Sequence, residues 1–141
     1  MFQFPDGFEW QFPWRQLDDD YSLMSWDNPE DFEPSNAPPR QLLADELHRE
    51  MVEGHKLFGE TVVAKAVYLL THKDFIFTTA NPSIPIACVH LTWSTETDPT
   101  WPMTTIYRTL DEWVAQMNLE HHEHKHLQSK HRQINKHTNR K

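Results

Sequence analysis

Two histidines, together with carboxylates of the first predicted helix, are the residues of this chain best suited to acid–base chemistry. His90 lies within the apolar stretch 84–93, and His55 lies in a short turn that follows Glu46 and Glu50. A neutral imidazole beside a carboxylate can act as a general base or as a metal ligand. One hypothesis is therefore a small enzyme or ligand-binding protein that uses His90 and His55 with Glu50 or Glu46. The favoured interpretation is that His90 is a core histidine with a hydrogen-bond partner.

A second group of histidines lies near the C-terminus, at His121, His122, His124, His126, His131 and His137. Imidazoles at this density bind Zn, Ni or Cu ions weakly, but a structural zinc site needs ligands that are fixed on a folded frame. The first four of these histidines are thus a weak alternative metal site. We expect a solvated basic tail and no cofactor.

Cys88 and three tryptophans also have two interpretations each. A reactive cysteine needs an electropositive and accessible setting, so we interpret Cys88, inside an apolar run, as a small core residue. Trp93, Trp101 and Trp113 could line a ligand pocket. We favour the simpler interpretation, in which they pack a loop onto the sheet.

Residues 1–39 combine nine aromatic side chains with acidic residues and prolines. Six of the rings are at even positions from 2 to 14, so an extended segment would place them on one face. Pro5 and Pro13 restrict that segment to an edge strand or a strap. We expect this arm to complete the protein's own core, or else to hold a partner. In the partner hypothesis the contacts come from Trp10, Trp14, Asp18, Asp19, Asp20 and Trp26.

The charge of the chain favours a protein partner over nucleic acid. The net charge is -8, and residues 1–53 hold thirteen Asp and Glu against three Arg. Residues 120–141 have the opposite sign, with six Lys and Arg against two Glu. An acidic surface repels phosphates and steers basic proteins toward it. The simpler interpretation of this charge is a solvated surface that keeps the protein soluble; the functional interpretation, which we carry forward, is a basic protein partner.

Composition and length indicate one domain in a reducing, cytoplasmic setting. The chain has 141 residues and a single cysteine, so it cannot form an intramolecular disulfide. The first ten residues lack the pattern of a signal peptide, and no apolar run approaches the roughly 20 residues that a membrane helix needs. Mean hydropathy is -0.74, which predicts solvated or irregular parts.

Hydrophobic periodicity predicts two helices. The first covers residues 39–53, with Ser35 or Asn36 as the cap and Gly54 as the stop. Its apolar stripe recurs every four residues, at Leu43, Leu47 and Met51. The second begins at a T-x-x-E capping box formed by Thr109 and Glu112 and ends near Asn118.

Three strands are predicted between these helices, at residues 61–70, 74–79 and 84–93. Short polar connections favour consecutive antiparallel pairing. The predicted fold is α+β, a three-stranded antiparallel meander packed against two helices on one face, which an edge strand from the arm could extend. Residues 94–105 are predicted to form an ordered loop. The predicted regions are the arm (1–39), the α+β domain (40–119) and a disordered tail (120–141).

Residues 42–117 resemble a group of small uncharacterised bacterial proteins. The shared features are a helix, a GH-x-L-x-G turn beginning at Gly54, strands, the sequence VHLTW beginning at Val89, and a W-P loop at Trp101. The resemblance implies an architecture but no activity. From the residues we expect a noncatalytic protein-binding module, with an immunity protein that neutralises a toxin by occlusion as its most concrete form.

Overall fold

The computed structural model describes residues 1–17, 39–94 and 97–139, with side chains up to residue 128. The proposed caps Ser35 and Asn36 lie outside the described residues. Within the described parts the elements are β1 (Trp14–Gln16), α1 (Pro39–Glu50), β2 (Val62–Tyr68), β3 (Asp74–Thr79), β4 (Ile86–His90), β5 (Thr104–Tyr107) and α2 (Leu110–Asn139). The strands form one antiparallel sheet in the order β1-β2-β3-β4-β5.

The α+β class is confirmed, but the sheet has five strands and not three. β1 is the edge strand in the arm, and its Trp14 lies opposite Tyr68 of β2. β5 begins in the last two residues of the segment that we predicted to be a loop, and its Thr104 lies opposite Val89 of β4. The residues TTIY favour a strand, but the prolines just before them obscure it in the sequence.

The two helices cover opposite faces of the sheet, so the expectation that both lie on one face is wrong. α1 packs through Leu43 and Leu47 on a cluster that includes Phe75. α2 packs through Trp113 on the other face, in a cluster with Ile76. A strand with apolar side chains on both faces needs a packed element on each face. The continuous apolar run of β4 is such a strand, which explains why one helix lies on each side of the sheet.

Helix α2 continues to Asn139, well beyond the end that we predicted near Asn118. Residues 119–139 are therefore helical and not disordered in the structure. They contain no glycine or proline and many good helix formers. The arm also holds the helix past Asn118, because His121 Nδ1 bonds to Phe12 O at 2.7 Å. None of the described helices has the length and apolar character needed to cross a bilayer.

The predicted ends of the helices are partly correct. Thr109 Oγ1 accepts the N–H of Glu112 at 3.1 Å, as a capping box requires. The Glu112 carboxylate reaches back to the N–H of Arg108 at 2.8 Å. α1 ends at Glu50 and not at residue 53, and Gly54 follows with a left-handed φ of 100°. Few other residues adopt that φ without strain.

Candidate functional site

His55 joins the 54–58 turn to the W-P loop, and both of its ring nitrogens form hydrogen bonds. Its Nδ1 accepts the N–H of Leu57 at 3.0 Å. The proton therefore lies on Nε2, which donates to Pro102 O at 2.9 Å. The ring is buried. With one nitrogen accepting and the other donating, His55 has no free lone pair with which to act as a base.

Glu50 is completely buried and bonded to the backbone that follows β4. Its carboxylate accepts the N–H groups of Thr92 at 2.8 Å and Trp93 at 2.9 Å, and also the hydroxyl of Thr92. Trp93 has a φ of 59°, in the left-handed region that residues other than glycine seldom occupy. Glu50 therefore holds the last part of the VHLTW sequence in its unusual conformation.

Glu46 lies beside Glu50 on α1 and shares its buried setting. Burial and the hydrogen bond with Glu50 raise the pKa of Glu46 to about 7. Arg49 opposes this shift, because its guanidinium binds both Glu46 oxygens, at 2.8 and 2.6 Å. Glu46 therefore holds its proton below about pH 7, well above the range in which an ordinary glutamate loses it.

His90 lies on the opposite face of the sheet from Glu50. Its cross-strand neighbour is Asp74, and Nδ1 lies 3.0 Å from Asp74 Oδ1. The His90 side chain is 41% exposed. It is hydrogen-bonded, as we expected, but it is not a core residue, because β3 and β4 leave this end of the face uncovered.

The predicted catalytic residues His55, Glu50 and His90 do not come together. His55 binds the W-P loop, Glu50 binds the turn after β4, and His90 binds Asp74 on the other face. Each side chain belongs to a separate hydrogen-bond network. A site that combines two of them as acid and base is therefore not formed.

Cys88 and its neighbours under α2 also have settings that disfavour reactivity. Burial raises the pKa of the Cys88 thiol far above its usual range, and nearby Asp74 and Glu120 add to the shift. Burial raises the pKa of Tyr68 to about 12. Among the described residues no three His, Cys, Asp or Glu side chains are grouped to hold a metal ion.

The arm packs its aromatic rings against the protein itself. Trp14 is 3% exposed, and its ring centroid lies 5.2 Å from that of Trp113. Trp10 is half-buried and packs on Phe4 and on Trp113. Trp14 therefore offers no surface to a partner, and Trp10 offers little. The remaining predicted contacts, Asp18, Asp19, Asp20 and Trp26, lie outside the described residues.

No protein family, curated protein or solved structure matches this chain. The resemblance to small bacterial proteins therefore stays a prediction. Function has to be inferred from the geometry of the described residues.

A surface that the sequence did not indicate lies on the 54–58 turn and the W-P loop. It consists of three exposed side chains, Phe58, Trp101 and Met103, with exposed fractions of 50%, 39% and 53%; we call it the Trp101 surface. We expected Trp93, Trp101 and Trp113 to pack a loop onto the sheet; Trp93 packs against the core on the α1 side, and Trp113 packs α2 onto the sheet. Instead Trp101 points to solvent while Pro102 beside it is buried.

Three consecutive residues of the turn, Gly54, His55 and Lys56, fasten the two segments of the Trp101 surface to each other. The His55 bond to Pro102 O is one contact. Lys56 Nζ donates to Thr104 O at 3.2 Å. Gly54 lies so close to Pro99 that an added Cβ would be 3.2 Å from the proline Cβ. We had singled out both the turn and the loop in the sequence, but residues 47 apart give no local sign that they touch.

Proposed function

We propose that the protein is a noncatalytic protein-binding module that uses the Trp101 surface to contact its partner. The observation that carries this proposal is the exposure of Phe58, Trp101 and Met103 on two fastened segments. Aromatic residues and methionine are enriched in protein interfaces. Large exposed apolar side chains on neighbouring segments are a common feature of interaction surfaces.

The rigidity of the two segments supports a binding role. His55 is buried and bonds the turn to the loop before any partner arrives. A preorganised surface loses less conformational freedom on association than a flexible one. Trp101 is the natural centre of the contact, because tryptophan is over-represented among the residues that dominate binding energy.

The separation of the candidate catalytic groups favours binding over catalysis. An enzyme that used His90 with Glu50 or His55 would need those groups within hydrogen-bond reach of one substrate. They lie in three separate networks, and Glu50 and His90 face opposite sides of the sheet.

The partner in this proposal is a protein with net positive charge. The net charge of -8 supports it, since long-range attraction accelerates the encounter of oppositely charged proteins. The most concrete version is an immunity protein that neutralises a basic toxin by occluding its working surface. In this version the acidic residues of positions 18–20 contribute to steering.

Affinity capture from a lysate of the native host, followed by mass spectrometry, tests the proposed function. We expect a stoichiometric basic partner that is lost when Trp101→Ser and Met103→Ser are combined. The matched control is Leu70→Ser, at another exposed apolar side chain, which is 39% exposed on the β2–β3 connection. The proposal fails if the double variant captures the partner as well as the control does. It also fails if the purified protein turns over a substrate and His90→Ala abolishes that activity.

A further inference from the structure

The outer edge of β5 carries backbone groups that point away from the sheet. The N–H of His90 donates to Met103 O at 2.9 Å, so these two residues form a bonded pair. Bonded and non-bonded pairs alternate along an antiparallel ladder. With the register of β4 and β5 fixed, the amide groups of Thr104 and Ile106 face outward. β5 ends the strand order, so no described strand pairs with this edge.

A groove of about 480 Å³ runs along this edge. Its lining consists of Lys56, Ser83, Ile84, Thr104, Thr105, Ile106 and Arg108. Ile84 and Ile106 are partly buried and supply an apolar floor. Lys56 lies at the Thr104 end, where it bonds to that carbonyl, and Arg108 follows the other end of the strand. The groove thus combines an open strand edge with a cation at each end.

We propose that this edge accepts an extended segment of the partner protein as a sixth strand, and that the segment carries carboxylates that pair with Lys56 and Arg108. Strand addition uses backbone hydrogen bonds for affinity and alternate side chains for specificity. Here the alternate side chains of the segment are apolar where they meet Ile84 and Ile106. The inference rests on the proposed function, because Met103 of the Trp101 surface directly precedes β5.

Charge complementarity selects an acidic segment over a second copy of this chain. Two β5 edges could pair in two ways, antiparallel across a twofold axis or parallel. The antiparallel arrangement would bring Arg108 of one copy toward Lys56 of the other, and the parallel arrangement would bring each cation toward its own counterpart, so like charges would meet at both ends in either case. Carboxylates at both ends of a foreign strand would instead be attracted. The acidity concerns this segment and leaves the net charge of the partner positive.

Lys56 has a double role in this arrangement. Its amine now bonds to Thr104 O, one of the outward acceptors that an added strand needs. Lys56 is exposed, so it can turn toward a carboxylate of the incoming segment and release that carbonyl. The edge is therefore protected by a lysine in the free protein, which is a common defence against unwanted strand pairing.

The test is an NMR titration of the full chain with a synthetic peptide, acetyl-Glu-Thr-Val-Thr-Val-Thr-Glu-amide, at up to millimolar concentration. We expect binding, with the largest shift changes at the amides of Thr104 and Ile106 and slower hydrogen exchange at Ile106. The first control peptide replaces both Glu residues with Lys. The second carries N-methyl groups on two adjacent central residues, which removes N–H donors from both edges of the peptide strand. Both controls should bind more weakly.

Charge-reversal variants of the protein separate the proposed pairs from general electrostatics. Lys56→Glu and Arg108→Glu should each weaken the binding of the acidic peptide by about fivefold, the scale of one exposed ion pair. Lys125→Glu, at an exposed lysine on α2, changes the net charge equally and should alter binding less than about twofold. Far-ultraviolet circular dichroism confirms that all three variants keep their fold.

Three results overturn the inference. The first is that the acidic peptide does not bind, or binds no better than the lysine peptide. The second is that the responding amides lie away from β5. The third is that the protein dimerises and protects the Ile106 amide without any peptide. The proposed function is judged separately, because partner capture that depends on Trp101 and Met103 would stand even if the peptide fails to bind.

Discussion

The Glu50 carboxylate accepts the N–H of Trp93 at 2.9 Å and holds that residue in a left-handed backbone conformation. The same carboxylate accepts the N–H of Thr92, so the end of α1 is bonded to the turn that ends the VHLTW sequence. A buried carboxylate is costly unless it is fully hydrogen-bonded. The Glu50 contacts meet that condition, and they explain why an acidic residue lies on the core side of α1.

Glu50→Gln should destabilise the protein by about 2–4 kcal/mol, because an amide has one acceptor oxygen where the carboxylate has two and its NH₂ group faces backbone donors. Urea unfolding followed by circular dichroism measures the loss. The matched control is Glu53→Gln, three residues further along and exposed, which should change stability by less than about 0.5 kcal/mol. Equal effects at the two positions would contradict the bonding role of Glu50.

Glu46 should make stability fall as the pH rises from about 4.5 to about 7. Its pKa is raised to about 7 by burial and by Glu50, so between these values the folded state binds more protons than the unfolded state. The stabilisation is complete below the ordinary pKa and is lost as pH rises through 7. It should amount to about 2 kcal/mol after allowance for partial solvent screening.

Glu46→Gln provides the comparison, because glutamine keeps a donor at this position and does not ionise. Free energies of unfolding for both proteins, measured at several pH values, should diverge over this interval. The difference between the two curves isolates Glu46 from the other titrating groups. Parallel curves would show that Glu46 keeps an ordinary pKa.

His55→Leu should loosen the W-P loop from the 54–58 turn. The change leaves the buried Pro102 carbonyl and the Leu57 N–H without their ring partners, at a cost of about 1–3 kcal/mol. Hydrogen exchange of residues 97–104, followed by mass spectrometry, should accelerate more than that of β2. His122→Leu, at an exposed helical histidine, is the control. Unchanged exchange in the loop would exclude His55 as its fastener.

Two tryptophans should differ sharply on truncation, because one lies in the core and the other does not. Trp14→Ala should cost about 3–5 kcal/mol, the usual range for a buried aromatic side chain. Trp101→Ala should cost less than about 0.5 kcal/mol, since surface changes rarely cost more. Thermal and chemical denaturation of the pair measure both values. A small effect at Trp14 would mean that the arm contributes little to the core.

Local patterns in the sequence were sufficient for α1, for three of the strands and for the cap of α2. Leu43 and Leu47 recur at helical spacing, and both are completely buried. β5 was not predicted because a strand of four residues, placed between a proline and a helix cap, is too short to show alternation of polar and apolar side chains. The predicted α2 was too short because we ended the helix where its apolar stripe ends. Beyond that point, good helix formers and the contact with the arm are enough to continue the helix.

The candidate site was harder to predict than the fold, because its contacts join distant parts of the chain. His55 and Pro102 are 47 residues apart, and Glu50 and Trp93 are 43 apart. Each contact joins a side chain to a backbone atom, so no pairing of residue types marks it in the sequence. Trp101 is exposed and its neighbour Pro102 is buried, and nothing in the local sequence distinguishes the two settings.

The packing of the arm on α2 has a consequence for the order in which the chain can fold during synthesis. Trp14 and Trp10 are made first, yet they pack on Trp113, about a hundred residues later. Until the ribosome has released that helix, Trp10 and Trp14 lack the cover that Trp113 provides and are more open to chaperones. Folding of this face should therefore wait until α2 has emerged from the ribosome, whereas α1 and the hairpins of β2 to β4 can assemble earlier.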